Sequence, residues 1–267
     1  MAATTRSRRT GTACSRTSRR APIPAAPGEP VVVTTLPPSV PGTVELPVPG
    51  APADVRVVLA RVAPLIGWAE SVRDCLDEDE RKRAAAFRHE SDRRRFVVAH
   101  CVLRHELAAR TGADPASLRL GPPVPAVGSR PKPRLEDHAL HFSLSHSGDQ
   151  VLVATAEREV GVDVERLQDP VAAEQVVPLL HPAEIIALRT LPAADRPAAV
   201  TTVWARKESL LKAMGSGLFR EPSVDEVGAG PVPGRPVAGW RILDLALPPA
   251  TGPDRAESRA ALTVRVP

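Results

Sequence analysis

The stretch Gly161-Val162-Asp163-Val164-Glu165 decides how the rest of the chain is interpreted, because valines alternate with acidic residues in it. Period-two alternation is typical of a strand with one buried face, and it places the Asp163 and Glu165 carboxylates on the same face. Two carboxylates that lie close together repel, so one is protonated or both share a cation. Mg²⁺ takes oxygen ligands and needs few protein carboxylates where phosphates supply the rest. Taken alone, the stretch is as well explained by an acidic strand face in contact with water.

Composition and charge indicate a globular protein. Beyond the N-terminal residues, they do not indicate a nucleic-acid-binding surface. Of the 267 residues, 43% are apolar and 25% are charged, which is typical of a globular protein. The length is sufficient for one large domain or two of ordinary size. The net charge of +4 comes from the N-terminus, where residues 1–20 contain arginines and no acid. Beyond them, 29 basic residues face 31 acidic residues. We therefore predict no nucleic-acid partner for the body of the protein.

The cysteines and the apolar runs exclude other classes of site. Cys14, Cys75 and Cys101 are widely spaced and form no C-x-x-C pair, so neither a zinc site nor a disulfide framework is indicated. No apolar run reaches the ~18 residues of a membrane span. These features predict reduced thiols, a cytoplasmic location and no membrane partner.

The pattern of elements predicts an α+β protein with three segments. Residues 1–50 are rich in Arg and Pro and are predicted to be a disordered tail. Residues 51–158 and 159–267 each contain strands and helices, and the second segment carries the acidic strand. The predicted strands are 55–62, two within 141–156 around Ser147-Gly148-Asp149, the acidic stretch, 240–247 and 261–266. The predicted helices are 77–87, 91–110, 171–180, 182–190 and 197–214, and 121–133 is predicted to be a loop.

A second informative stretch is Trp204-Ala-Arg-Lys-Glu208-Ser-Leu-Leu-Lys212. On a helix, Trp204, Glu208 and Lys212 share one face. The chain has only four Lys against 31 Arg, and two of the Lys fall within this stretch. A compact ammonium meets a phosphate as a point charge. The simpler interpretation is a surface helix with a Glu–Lys pair contributing ~0.2–0.5 kcal/mol.

A third stretch, Phe142-Ser-Leu-Ser145-His146-Ser-Gly148, predicts a tight turn whose hydroxyl, imidazole and backbone donors suit a phosphate. An ordinary hairpin turn is the simpler interpretation. A Ser145/His146 nucleophilic pair is disfavoured, because adjacent residues rarely place a His to deprotonate its neighbour. The basic run 81–95 is mostly a solvated helix face.

Taken in order, these stretches resemble the Sfp-type 4′-phosphopantetheinyl transferases. The matching signatures are 142–148, 161–165, 204–218 and the R-x-x-x-F…D-x-x-R pattern of 83–95, and the resemblance covers about 55–245. It implies two similar fused α+β halves related by a pseudo-twofold axis, with coenzyme A in the cleft between them. It also implies transfer of the phosphopantetheine arm of coenzyme A to a serine of an apo acyl or peptidyl carrier protein, with release of adenosine 3′,5′-bisphosphate.

The resemblance also implies a set of site residues. Asp163, Glu165 and Glu208 look like Mg²⁺ ligands, Glu208 like the base for the carrier serine, and Lys212 like a group that stabilises phosphate charge. The expected coenzyme A contacts are Arg83, Arg130, Ser145, His146 and Lys212. Ser145 and His146 resemble the residues that hold the nucleotide's phosphates, in particular the 3′-phosphate. The sequence departs from the family pattern at the inserted Ser129 before Arg130 and at Glu80, where a basic residue sometimes stands.

Alternatives from other classes stay open at this point. A catalytically inactive coenzyme A-binding module would keep the pocket without the chemistry. A nucleic-acid-binding protein would use the Arg-rich tail and the basic cluster 81–95, and a hydrolase would use Ser145 and His146. The sequence does not identify the carrier protein, and a cleft completed within one chain predicts a monomer.

Overall fold

The computed structural model describes residues 40–121, 132–216, 220–234, 237–249 and 256–267. The predicted disordered tail lies mainly outside these residues, but its end at position 50 is wrong. Val40 and Leu46 are buried, and strand β1 (Val44–Glu45) pairs with the next strand. The sequence did not predict this short strand, because it lies in a Pro-rich segment and two residues are too few to show alternation.

The first sheet contains β1, β2 (Arg56–Arg61), β5 (His141–Ser147) and β6 (Gln150–Ala156) in the order β1-β2-β6-β5, with every pair antiparallel. The hairpin predicted within 141–156 is confirmed. Three helices pack with this sheet around an apolar core, namely α1 (Val62–Ser71), α2 (Glu78–Ala85) and α3 (Glu90–Thr111). Helices α2 and α3 match the predictions, whereas α1 was not predicted.

Helix α2 begins with a capping box, in which Asp77 accepts a hydrogen bond from the Glu80 amide and Glu80 accepts one from the Asp77 amide. Helix α3 ends at Gly112, whose φ of 74° is the left-handed conformation that glycine adopts without strain. These caps fix two helices that line a cavity described below.

The second sheet contains β7 (Val160–Arg166), β9 (Ser258–Arg265) and β8 (Trp240–Asp244) in the order β7-β9-β8, also antiparallel. The acidic stretch is therefore a strand, as predicted. A separate two-stranded pair, β3 (Leu120–Gly121) and β4 (Arg134–Leu135), lies between α3 and β5 in the chain. The remaining helices are α4 (Pro170–Val176), α5 (Pro182–Thr190) and α6 (Arg196–Met214), and a single 3₁₀ turn follows α4 at Val177–Leu179.

Helix α6 packs directly against β7, and Gly161 allows this close approach. A Cβ at position 161 would overlap backbone atoms of Ser209 and Ala213, so only glycine fits. The side of β7 that carries Asp163 and Glu165 consequently faces the helix that carries Glu208 and Lys212. The two motifs of the sequence meet here.

Serine hydroxyls connect the two sheets. The hydroxyls of Ser143, Ser145 and Ser147 in β5 accept hydrogen bonds from every second backbone amide of β7. The donors are, in that order, the amides of Val162, Val164 and Arg166, at 3.0, 3.3 and 3.1 Å. Side chains thus take the place of the backbone acceptors of a regular sheet pairing. The result is a mixed α and β fold in which the third motif lies beside the acidic strand.

All the described residues belong to one compact unit, 37–267. Within the described part of the chain, no helix combines the length and the apolarity that crossing a bilayer requires.

Candidate active site

Asp163 is the centre of the candidate site. It is 2% exposed, and its Oδ1 accepts hydrogen bonds from Lys212 Nζ at 2.6 Å and Ser145 Oγ at 2.8 Å. Its second oxygen, Oδ2, is buried without a hydrogen-bond partner. Leaving a buried carboxylate oxygen unpaired is costly, so this atom marks a position where a ligand would be favourable.

Helix α6 supplies Glu208 and Lys212 to the same place. Four residues separate them, so they share a helix face, as predicted. Lys212 also donates to Ser145 Oγ at 3.0 Å, which completes a triangle with Asp163. Within the described part of the chain, Lys212 is the one ammonium that forms an ion pair with the group of Asp163, Glu165 and Glu208.

The excess of negative charge contributes to the raised pKa values of Glu165 and Glu208. Burial raises the pKa of Glu165 to about 7, helped by the charges of Asp163 and Glu208 and opposed by Lys212. Burial and the Asp163 charge likewise raise the pKa of Glu208. Near neutral pH the repulsion between the carboxylates is thus relieved by partial protonation of Glu165.

The carboxylates of Asp163, Glu165 and Glu208 offer oxygen donors to a divalent cation, but the structure does not arrange them as a finished metal site. Within the described residues, no group of three or more His, Cys, Asp or Glu side chains is already arranged to hold a metal ion. The unpartnered Asp163 Oδ2 and the raised pKa values of Glu165 and Glu208 nevertheless show oxygen donors with uncompensated charge. Oxygen donors of this kind suit Mg²⁺.

A cavity of about 650 Å³ adjoins this cluster at Lys212. Helices α2 and α3 form one wall with Arg83 and His100, and α6 forms another with Leu211 and Lys212. Its apolar lining is Leu103, Leu120, Phe142, Leu144 and Leu211. A cavity with cationic groups and an apolar wall suits an anionic ligand that also carries an apolar or aromatic part.

The prediction that placed Ser145 and His146 on a tight turn is wrong. Both lie within β5, and the turn is Gly148-Asp149. Alternation along the strand points their side chains to opposite faces, which also excludes the Ser/His nucleophilic pair. The Ser145 hydroxyl is engaged by Asp163 and Lys212.

His146 is on the other side of β5. It is exposed to solvent, and it does not line the 650 Å³ cavity. Partial desolvation together with the cations Arg95, Lys212 and His100 lowers its pKa. A neutral imidazole surrounded by cationic groups is compatible with the predicted phosphate contact, which stays a prediction.

Of the two arginines predicted to contact coenzyme A, Arg83 lies in the cavity wall and Arg130 is not tested by the structure. Arg83 lines the cavity, with its guanidinium 5.1 Å from the centre of the Phe96 ring. Arg130, Ser129 and most of the predicted loop 121–133 lie outside the described residues. Glu80, the departure from the family pattern, is buried and also lines the cavity.

Lys132 was missed by the sequence reasoning. It lines both the 650 Å³ cavity and a neighbouring one of about 560 Å³, and its Nζ donates to the Val160 carbonyl. Burial lowers its pKa to about 7, helped by Lys212 and Arg134 and opposed by Glu159. The scarcity of lysine could have indicated it, because the chain has only four.

The other lysine of the α6 motif, Lys207, faces away from this cluster. It is 2% exposed and pairs with Glu184 Oε2 at 2.7 Å. Its role is to hold α6 to α5, so the phosphate interpretation applies to Lys212 and not to Lys207.

Comparisons with known proteins show which family the chain is similar to. The model of the 4′-phosphopantetheinyl transferase superfamily matches residues 159–235, which include β7 and α6. The 4′-phosphopantetheinyl transferase HetI of Nostoc sp. is 30% identical over 181 residues, covering 64% of this chain and 73% of HetI. A 4′-phosphopantetheinyl transferase of Bacillus subtilis is 26% identical over 152 residues, covering 57% of this chain and 66% of that protein. A phosphopantetheinyl transferase of Thraustochytrium sp. is 35% identical over 131 residues, covering 45% of this chain and 42% of that protein.

The family model and the site coincide in the sequence, since 159–235 contains all three carboxylates and Lys212. The match to HetI extends the likeness to 64% of the chain. The chain therefore belongs to the 4′-phosphopantetheinyl transferase superfamily.

Proposed function

We propose that this protein transfers the 4′-phosphopantetheine arm of coenzyme A to a serine of an apo acyl or peptidyl carrier protein and releases adenosine 3′,5′-bisphosphate. The observation that carries the proposal is the group of Asp163, Glu165, Glu208 and Lys212, which adjoins a cavity of about 650 Å³ whose lining includes Arg83 and Lys132. Coenzyme A has the required anionic and aromatic parts. Family membership supports the same reaction.

In the proposed reaction the serine oxygen attacks the phosphorus that bears the pantetheine arm. A bond forms between this oxygen and phosphorus, and the bond from phosphorus to the bridging oxygen of the pyrophosphate breaks. Bound Mg²⁺, with Asp163, Glu165 and Glu208 as its ligands, would supply Lewis-acid stabilisation of the pyrophosphate charge.

The chain's own groups account for the remaining requirements. Glu208 is suited to accept the serine proton, because its raised pKa brings its basicity closer to neutral pH. Lys212 lines the cavity, and its ammonium stabilises the charge that develops on the leaving phosphate. Ser145 holds Lys212 in place through its 3.0 Å hydrogen bond.

We further propose the two-half architecture for residues 51–158 and 159–267, with a pseudo-twofold relation between them. Both segments line the cavity, the first through α2, α3 and β5 and the second through α6. A cavity completed by one chain supports a monomer. The free thiols Cys75 and Cys101 are compatible with a reducing cytoplasm, where we place the protein.

The test is intact-mass spectrometry of an apo carrier protein after incubation with this protein, coenzyme A and Mg²⁺. We expect the carrier to gain one phosphopantetheine arm, and a parallel reaction with EDTA to show none. A panel of fatty-acid, polyketide and peptide-synthetase carriers addresses which carrier is served. An inactive coenzyme A-binding module would bind coenzyme A in calorimetry and modify none of the carriers, and the proposal would then be wrong.

A further inference from the structure

Two of the three cysteines of the chain, Cys75 and Cys101, meet in the core of the first part of the fold. They are 26 positions apart in the sequence, yet their Sγ atoms are only 3.8 Å apart. Cys75 lies in a short 3₁₀ turn, Arg73–Cys75, that precedes α2, and Cys101 lies within α3. The packing of these two elements therefore creates a thiol pair that the wide spacing in the sequence did not indicate.

The two sulfurs are close enough to form a disulfide after a small movement. Both thiols are free in this structure. A disulfide bond is ~2.05 Å long, so the sulfurs would have to approach each other by about 1.8 Å. A change of the χ1 torsion moves a cysteine sulfur over distances of this order. The pair is thus a reduced dithiol in a position to be oxidised.

The imidazole of His105 completes the cluster. Its Nδ1 is 2.9 Å from the Cys101 carbonyl oxygen, and its ring packs edge-on against Trp68 with centroids 5.0 Å apart. In the part of the chain that the structure describes, no three or more His, Cys, Asp or Glu side chains are grouped so that they could hold a metal ion. Oxidation is therefore the chemistry that two adjacent thiols beside an imidazole can carry out here.

The surroundings make the two thiols unequal. The interaction with Cys101 lowers the pKa of Cys75 to about 5, burial opposes this, and His105 lowers it further. Cys75 and burial in turn raise the pKa of Cys101. Cys75 is also the more exposed residue, at 8% against 0%. Because the thiolate is the reactive form, Cys75 is suited to react first and Cys101 to react second.

We propose that Cys75 and Cys101 form an oxidation site for hydroperoxides, in which Cys75 is oxidised to a sulfenic acid and Cys101 converts it to a disulfide. The inference goes beyond the proposed transfer reaction and does not rest on it. The bond would tie the turn before α2 to α3, and both of these helices line the 650 Å³ cavity. A thiol reductant would restore the two thiols.

The first step balances with peroxide as the oxidant. The Cys75 thiolate attacks one peroxide oxygen, an S–O bond forms, the O–O bond breaks, and hydroxide leaves. The sulfur loses two electrons and the peroxide gains them. The hydroxide takes up the proton that the Cys75 thiol released, so the products of this step are the sulfenic acid and water.

In the second step the Cys101 sulfur attacks Cys75 Sγ. An S–S bond forms, the S–O bond breaks, and the thiol proton of Cys101 leaves with the hydroxyl group as water. Oxidation of Cys75 prepares this step, because it removes the negative charge that raises the pKa of Cys101. The disulfide then protects Cys75 from oxidation to a sulfinic acid.

The test is peptide mass spectrometry of the folded full-length protein after treatment with hydrogen peroxide. Remaining thiols are blocked with N-ethylmaleimide, and the protein is digested with trypsin without reduction. Cleavage after arginine places Cys75 in the peptide 74–81, Cys101 in 96–104 and Cys14 in 10–16. We expect 74–81 to be linked to 96–104, and the link to disappear after treatment with dithiothreitol.

Single substitutions separate the roles of the two thiols. Cys101→Ala should leave the sulfenic acid on Cys75, where dimedone traps it, whereas the wild-type protein should give little adduct. In Cys75→Ala, Cys101 should be oxidised at least about tenfold more slowly than Cys75 is in the wild type. Cys14→Ser is the matched control, because it removes the third thiol, and it should form the 74–81 to 96–104 link at the wild-type rate.

Three results would overturn the inference. Wild-type protein that stays folded and forms no 74–81 to 96–104 link would exclude the site, whatever the variants do. Oxidation of Cys101 in Cys75→Ala at the rate of Cys75 in the wild type would show that Cys75 does not react first. An equal yield of the link in urea, where pairings with Cys14 should compete, would show that the fold does not bring the two sulfurs together.

Discussion

Lys207 and Lys212 lie on the same helix, and they differ in whether their surroundings satisfy the charges. Lys207 and Glu184 form a closed group, because Glu184 also accepts hydrogen bonds from the His181 and Val227 amides at 3.0 and 2.6 Å. Lys212 reaches one carboxylate, Asp163, while neither Glu165 nor Glu208 has an ion-pair partner among the residues that the structure describes. A satisfied buried pair fixes a fold, and an unsatisfied cluster that adjoins a cavity can bind a further charge.

The largest expected effect is on the unsatisfied cluster. Asp163→Ala and Glu208→Ala should each lower the rate of carrier modification by about 10³-fold or more, because each removes charge that the transfer needs. The free energy of unfolding should change little, since removing one of several repelling carboxylates relieves repulsion. Time-resolved intact-mass measurements give the rate, and urea unfolding gives the stability. Turnover within tenfold of the wild type in either variant would contradict the assignment of these residues to the site.

Lys207→Met should do the opposite, lowering stability and sparing the chemistry. Glu184 would be left buried with an uncompensated charge, which costs about 3 kcal/mol of unfolding free energy. Urea unfolding measures this loss, and the remaining folded protein should modify the carrier at nearly the wild-type rate. Lys207→Met combined with Glu184→Gln is the control, and it should recover part of the stability because it removes the unpaired charge. A loss below about 1 kcal/mol would show that the pair is not the closed group that its geometry indicates.

Lys212→Met tests what the partly satisfied lysine does. We expect kcat to fall about 10²-fold while the KM for coenzyme A changes by less than about threefold, because the ammonium acts on charge that develops during transfer. The reverse pattern, weaker binding with unchanged kcat, would mean that Lys212 only anchors the substrate. Lys212→Arg sharpens the comparison, because a guanidinium keeps the charge and loses the compact shape.

Lys132 is an intermediate case, a buried ammonium whose described contact is the Val160 carbonyl. Its pKa falls from 10.5 to about 7 on folding. Between these values the unfolded chain binds more protons than the folded one, so this residue makes the free energy of unfolding rise with pH. Removing the charge by Lys132→Met should therefore reduce the rise between pH 7 and pH 10 by about 3.5 kcal/mol.

The measurement for Lys132 is urea unfolding of both proteins at several pH values in that window. The chain contains no Tyr, so no phenol titrates there. Subtracting the two curves removes the contribution of other groups, including Lys207, whose pKa is lowered as well. Parallel curves for wild type and Lys132→Met would contradict the burial of a cation at this position.

The sequence predicted the elements of the site better than their contacts. Alternation in 161–165 and the helical spacing of Glu208 and Lys212 predicted β7 and one face of α6, because both patterns are local. The difference between the two lysines was not predicted. They are about 140° apart around the helix, but the partner Glu184 lies on another helix that no local pattern connects to α6.

The same limit explains the other misses. The serines of β5 seemed to form a turn, because a hydroxyl that accepts a hydrogen bond from an amide of another sheet leaves no trace in local sequence. Helix α1 follows β2 directly, without a glycine or asparagine to mark the boundary, so its apolar residues could not be assigned to a helix. Lys132 lies beside prolines, where periodicity carries no information.

Of the substitutions considered, Lys82→Ala should change the free energy of unfolding least. It shows how little an exposed ion pair contributes compared with a buried one. The Nζ of Lys82 is 2.7 Å from Glu78 Oε1, as close as the Lys207–Glu184 pair, but both side chains are largely exposed. Water and salt screen an exposed pair, and ordering two long side chains costs entropy, so Lys82→Ala should change the free energy of unfolding by only about 0.3 kcal/mol. Urea unfolding at low and high salt should show this small difference vanish as salt rises. If Lys82→Ala were as harmful as Lys207→Met, distance and not burial would determine the strength of these pairs, and the contrast drawn between the two lysines of α6 would fail.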